Sequence, residues 1–279
     1  MWNLDYSNRN ELKETLSRYG YAMNKRFGQN FLLPFQTRKK IVDLMELGKG
    51  CFVWELGPGL GALTSIMLSE KARVKAFEID HGFASILKDD AFGDEEGFSL
   101  IEGDALKTMF KESEIPERIV GNLPYNVGSE MIARLIEEGI LPELMVFTLQ
   151  REVVSRMTGK EGTKDYSSFT VLVNLDYENK EALYIPRSSF YPEPNVDSAV
   201  VVMRKRGEKR IADDKRKSFF SFVRTVFSSR RKTIRNNLSK RYSKEKLDDA
   251  FSLLSLSGME RGESLSTERL LALFGALER

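Results

Sequence analysis

The sequence predicts an α/β fold built on a doubly wound, mainly parallel sheet, and three observations carry that expectation. Short apolar runs alternate with helical stretches between residues 51 and 149, a glycine loop follows the first run directly, and residues able to do chemistry recur where the runs end. Sheets of this kind bind ligands outside the carboxyl ends of their strands.

Residues 1–24 are polar and show helical spacing only around 11–19, so they read as an extension or cap. Lys25, Arg26, Phe27, Gly28, Gln29, Asn30, Phe31 and Leu32 then gather cations, aromatics and amides into a loop ahead of a helix over 36–47. Such a loop is ordinarily structural, but Asn30 and the backbone near Leu32 are suited to grip the polar end of a ligand. Residues 51–56 (CFVWEL) read as a buried strand that runs into Gly57-Pro58-Gly59-Leu60-Gly61-Ala62 and a helix over 63–70. Glycines in such a loop permit a tight turn and a close backbone approach to a ligand. Glu78 follows Gly57 by 21 positions, at the end of a strand over 73–77, where it is placed to accept from ribose hydroxyls. The loop also fits the dinucleotide pattern, so alone it does not separate NAD from other adenosine cofactors. A strand over 98–102 ends in Gly103-Asp104-Ala105, where Asp104 either receives the adenine amine of a cofactor or caps the next helix.

The chain is organised around Ile119-Val120-Gly121-Asn122-Leu123-Pro124-Tyr125-Asn126. A short strand here delivers an amide, a carbonyl on a residue held extended by the following Pro124, and an aromatic ring. An exocyclic adenine amine is a poor nucleophile because its lone pair is delocalised into the ring. The Asn122 side-chain oxygen and the Leu123 carbonyl are suited to bind its two N–H groups and bend the nitrogen towards tetrahedral geometry, while Tyr125 stacks on the base. A plain strand-to-turn exit is the alternative. A helix over 128–139 and a fifth strand over 144–149 complete the alternation. Beyond them Gln150-Arg151-Glu152 opens a helix, residues 166–176 read as a strand, and a proline-stiffened loop over 189–197 feeds a last strand. Phe190 in that loop is expected either to plug the core or to sandwich a base against Tyr125.

The net charge of +2 conceals an asymmetry: residues 204–244 hold 16 Lys and Arg against 3 Asp and Glu, a local +13, and the remainder carries −11. Such a split points to a polyanion-facing module beside a mildly acidic body, against the plainer reading of a solvated helical face. Phe219, Phe222, Val223, Val226 and Phe227 form one apolar helical stripe, Ser228-Ser229 marks a break, and a second helix is expected from Arg230. The boundary is placed near Gly207, giving a first domain over 1–206 and a basic helical domain over 207–279. Arg230, Arg231, Lys232 and Arg235 are expected to stay available to backbone phosphates. One cysteine, Cys51, excludes an internal disulfide and a multi-cysteine metal site, and one histidine, His81, excludes a histidine-rich one. No metal is expected. No apolar leader opens the sequence and no run approaches the roughly 18 residues of a membrane span, so a cytoplasmic protein without membrane attachment is expected.

Taken together, residues 26–32 (RFGQNFL), 55–64 (ELGPGLGALT), 78–80 (EID), 103–105 (GDA), 121–126 (GNLPYN), 150–154 (QREVV), 190–201 (FYPEPNVDSAVV) and 230–236 (RRKTIRN) resemble the ribosomal RNA small-subunit adenine N6,N6-dimethyltransferase family. The resemblance implies a seven-stranded S-adenosylmethionine-dependent methyltransferase sheet with a small helical C-terminal domain that binds RNA. It implies dimethylation of two adjacent adenosines near the 3′ end of small-subunit rRNA, the expected partner being that rRNA within a pre-ribosomal particle; a monomer is expected. By motif, Asn30, Leu32, Gly57, Glu78, Asp104 and Asn122 would contact S-adenosylmethionine, while Asn122, Leu123, Pro124, Tyr125 and Phe190 would hold the adenine. Pro34 and Tyr166-Ser167-Ser168-Phe169 depart from the family pattern. Three alternatives stay open: the related large-subunit rRNA adenine methylases, an assembly or transcription factor that kept the fold and lost catalysis, and an NAD-dependent oxidoreductase. The last lacks a visible catalytic His, Tyr-Lys pair or metal set.

Overall fold

A computed structural model describes residues 2–20 and 30–278, so residues 25–29 of the expected ligand loop lie outside the described residues. The chain enters through α1 (Arg9–Arg18), whose Asn8 cap accepts from the N–H groups of Asn10 and Glu11. It continues through β1 (Phe31–Leu32), α2 (Phe35–Asp43), β2 (Phe52–Leu56), α3 (Thr64–Ser69), β3 (Arg73–Glu78) and α4 (His81–Ser85). Next come β4 (Phe98–Glu102), α5 (Ala105–Thr108), β5 (Arg118–Asn122), α6 (Gly128–Glu137), β6 (Leu144–Gln150) and α7 (Arg151–Met157).

Five of these strands, β2 to β6, form the main part of a seven-stranded sheet. β4, β3, β2, β5 and β6 lie side by side and run parallel. Parallel neighbours need crossover connections, and the intervening helices supply them on both faces. A strand covered on both faces is buried along its whole length, and all five residues of β2 are buried, four of them apolar and the fifth Glu55. The sheet is completed by β7 (Tyr177–Ile185) and β9 (Ser198–Lys205), while a short β8 (Phe190–Tyr191) between them in the chain pairs with β1 in a separate two-stranded ribbon. β9 inserts antiparallel between β6 and β7, giving the order β4-β3-β2-β5-β6-β9-β7.

One element differs in kind from its expectation. Residues 166–176 hold a helix, α8 (Ser168–Asp176), and the strand follows it as β7. Six of the nine α8 residues are buried, so the helix has no polar face and its sequence carries no helical period. Its start was legible, since Ser167 caps the helix and exchanges hydrogen bonds with Thr170 three positions on.

The C-terminal helices are α9 (Asp213–Val226), α10 (Ile234–Leu238), α11 (Lys244–Leu253) and α12 (Thr267–Leu277). Phe219, Phe222, Val223 and Val226 are buried on α9, as their spacing predicts, and α9 packs against α6 and α8. A single apolar cluster runs from Trp54 and Phe147 in the sheet to Phe219 and Phe274 in these helices. Arg216 of α9, only 5% exposed, donates to both Asp176 oxygens at 2.8 and 2.7 Å and to the Ile136 carbonyl at 2.9 Å.

Candidate active site

The site is built at the carboxyl ends of β2, β3, β4 and β5. Past Leu56 the chain turns at Gly57 and Gly59, both in left-handed backbone with φ of 70° and 58°. Other residues pay ~1–2 kcal/mol to sit there. The Gly57 N–H donates to the Phe77 carbonyl at 2.9 Å and ties the loop to β3. Glu78, at the end of β3, accepts from the Gly59 N–H at 3.0 Å and from the Asp80 N–H at 2.9 Å, one on each carboxyl oxygen. Burial pushes its carboxyl up to about 7, the two N–H groups opposing that shift. Glu55 on β2 is likewise pushed up to about 7 by burial and accepts from the Thr64 hydroxyl at 2.5 Å.

A cleft follows this edge. Asn30, Leu32, Gly57, Glu78 and Asn122 line one half, Gly57, Asp104 and Asn126 line the other, and Gly57, Ile79 and Pro124 line both. Asn30, Leu32, Gly57, Glu78, Asp104 and Asn122, expected from separate stretches, therefore meet at one cleft. Asp104 caps α5 with one oxygen, which accepts from the Leu106 N–H at 3.0 Å; the other has the Lys107 ammonium 3.9 Å away. Capping thus leaves part of this carboxylate open to a further donor.

Past β5 the Asn122 amide donates to the Asn30 carbonyl at 2.8 Å, which turns its own oxygen away from that contact and leaves it as an acceptor. The Leu123 N–H donates to the Thr148 carbonyl at 3.1 Å, and among the described residues no donor reaches the Leu123 carbonyl. The Pro124 carbonyl accepts from the Val127 and Gly128 N–H groups at 3.2 and 3.0 Å, closing the turn. The half-buried Tyr125 bonds through its hydroxyl to the Ser198 hydroxyl at 2.5 Å, and burial raises its pKa.

Two expectations need correction. Phe190 is 1% exposed, its strand paired with β1 and its ring in a cluster with Leu32, Ile41 and Val200, so it does not stand on the cleft wall. An uncharged ring on a strand that faces the sheet gains more from the core than from the cleft. Nor are all four cations free. Arg230 donates to Glu263 at 2.8 Å and to the Lys164 carbonyl at 2.7 Å, and Arg235 pairs with Asp248 and lies 4.9 Å over the Phe251 ring. Arg231 and Lys232 are exposed and their side chains make no hydrogen bond or ion pair among the described residues. All three of Arg230, Arg231 and Lys232 precede α10, whose cap is Thr233. Sequence reasoning also missed Ser198, which has no local signal because it meets Tyr125 only in the folded chain.

The strand order, the glycine loop and the acidic residue at the end of β3 define a class I methyltransferase fold. A family model described as ribosomal RNA adenine dimethylase matches residues 20–277, and the chain belongs to that family. It is 42% identical to ribosomal RNA small subunit methyltransferase A of Treponema denticola, a match over 96% of this chain and 94% of that one. The protein of the same name in Borreliella burgdorferi is 40% identical, over 85% of this chain and 82% of its own. Among solved structures, the 23S rRNA methyltransferase ErmE is 26% identical with a TM-score of 0.67, covering 89% of this chain and 99% of that one.

Proposed function

We propose that the protein transfers methyl groups from S-adenosylmethionine to the exocyclic amines of two adjacent adenosines near the 3′ end of small-subunit rRNA, dimethylating each during ribosome assembly. The observation that carries this reading is the exit of β5, where the Asn122 amide is oriented by the Asn30 carbonyl beside a Leu123 carbonyl that has no partner among the described residues.

Those two oxygens accept the N–H groups of the target amine, draw its lone pair out of ring conjugation and aim it into the cleft. Tyr125, tethered by Ser198, supplies the stacking face. Pro124 closes the turn that holds both groups. No basic side chain is needed, since methylation makes the amine proton acidic enough to leave afterwards. The cleft fits an adenosine carrier: Asp104 has an oxygen for the adenine amine, and Glu78 sits buried beside the Gly57–Gly59 backbone to receive ribose hydroxyls. S-adenosylmethionine, when bound, supplies an activated methyl group on a sulfonium.

Residues 1–206 form the catalytic module in this reading, and residues 207–279 an RNA-binding module whose Arg231 and Lys232 meet backbone phosphates. The protein acts as a metal-free monomer in the cytoplasm; among the described residues, no helix is long and apolar enough to cross a membrane. Mass analysis of small-subunit rRNA from cells lacking the protein, with and without its return, is the test. Two adjacent dimethyladenosines are expected to vanish and come back. Loss of an adenine methyl mark from large-subunit rRNA would replace this substrate with the other.

A further inference from the structure

Arg38 of α2 is 3% exposed and lines the half of the cleft that holds Asn30, Gly57 and Asn122. A buried guanidinium is costly unless an anion accompanies it. Among the described residues, the Arg38 side chain donates only from Nη2, to the Leu33 carbonyl at 3.3 Å and the Ser7 hydroxyl at 3.1 Å. The Tyr6 and Phe35 rings lie 5.1 and 5.8 Å from the guanidinium carbon. None of these partners carries a full negative charge. Nε is buried with no acceptor, Nη1 makes no hydrogen bond, and no carboxylate forms an ion pair with Arg38 among the described residues. Asp5 acts on it only at longer range, from an exposed position.

The group is also held in place. Tyr6 is 7% exposed, and its hydroxyl donates to the Leu60 carbonyl of the glycine loop at 2.9 Å while accepting from the Trp2 indole N–H at 2.9 Å. Residues 2–7 thus fasten Arg38 to the loop that shapes the cleft. With adenine at Asp104 and ribose at Glu78, the tail of an adenosine cofactor extends into the half that contains Arg38.

We infer that Arg38 is the receptor for the carboxylate of the cofactor's amino-acid tail, and that the N-terminal segment serves to position it. This rests on the cofactor reading above. The buried guanidinium then gains its counter-ion only on binding, which makes the carboxylate a strong determinant of affinity.

Titration calorimetry with S-adenosylhomocysteine and its decarboxylated counterpart, S-adenosyl-3-thiopropylamine, tests it. The parent protein is expected to prefer the carboxylate ligand by about 10- to 100-fold, the range of one charge-assisted contact. Arg38→Met should bind both ligands alike, at the parent's affinity for the decarboxylated one. Arg38→Lys, which keeps the charge and loses the planar fork, should recover part of the preference. A parent protein indifferent to the carboxylate would overturn the inference, and this comparison needs no variant to fold. So would an Arg38→Met protein in which both ligands weaken equally, since Arg38 would then only pin the N-terminal segment. Failure of the parent to bind either ligand would instead bring down the cofactor reading itself.

Discussion

Among the described residues, the side chains of Asn122 and Tyr125 are each oriented by one hydrogen bond, which sets what their substitution should do. Asn122→Ala removes an acceptor aimed at the target amine, so turnover should fall by about 100-fold or more, whereas the missing bond to Asn30 costs folding only about 1 kcal/mol. Single-turnover rates set against unfolding midpoints separate the two effects. Tyr125→Phe keeps the ring and loses only the Ser198 tether, so it should be milder than Tyr125→Ala. Equal damage from the two would transfer the role from the ring to the hydroxyl. Asn122, Leu123 and Tyr125 were legible because they are adjacent in the chain; Ser198 was not, lying on a strand that reaches Tyr125 only through the fold.

Glu78 gives a pH prediction. Burial raises its carboxyl from 4.5 to about 7, and Glu55 behaves alike. The native state therefore holds these protons more tightly than the unfolded chain. Their contribution to stability is fully present below the unfolded value and is lost as pH rises through about 7. Ribose hydroxyls donating to Glu78 favour the ionised form and pull its pKa back down. Cofactor binding should then release a proton below pH about 7, with affinity rising towards that pH and levelling above it. Calorimetry in buffers of different ionisation enthalpy reads the release, which Glu78→Gln should remove. An affinity flat across the window would take Glu78 out of the ribose site.

At the scale of elements, β2, β5 and β6 were legible because burial on both faces leaves short apolar runs in them, and the glycine loop marked the first of these. β7 was not. Only its end residues Tyr177 and Ile185 are buried at this sheet edge, and a polar sequence between them hides the strand, whereas the apolar α8 before it imitates one. The turn between α9 and α10 shows the same limit of composition. Charge alone put four cations there in one class, but folding gives Arg230 a carboxylate and a carbonyl and leaves Arg231 and Lys232 outside. Neutralising Arg231 and Lys232 should lower the log–log salt slope of binding to small-subunit particles by roughly one unit for each phosphate that goes unneutralised, and leave cofactor affinity alone. Arg230→Gln should act mainly on stability, by about 1 kcal/mol, since its ion pair is half exposed. An unchanged salt slope in the Arg231 and Lys232 variant would leave the +13 segment without its proposed partner.

Across the whole molecule, the change of charge sign near residue 207 marks a division of labour, and the core does not follow it. The apolar cluster passes from the sheet through α6 and α8 into α9 and α12 without a break, and Arg216 ties α9 to Asp176 and to the end of α6 within it. The sequence showed where the charge changes but had no means of showing that the cores merge, because the stripe on α9 looks the same whichever surface it meets. A shared core predicts a shared transition. Arg216→Ala leaves Asp176, whose side chain is 11% exposed, without its counter-ion, and should cost about 3–5 kcal/mol. In a Trp2→Phe background, Trp54 fluorescence reports the sheet and far-ultraviolet dichroism weighs the helices. Both midpoints should move together in urea, because unfolding α9 strips apolar cover from α6 and α8 and with it the support of the strands beneath. Should dichroism shift while Trp54 holds its parent midpoint, residues 207–279 would fold as a separate unit, and Arg216 would be a contact between two bodies instead of a part of one core.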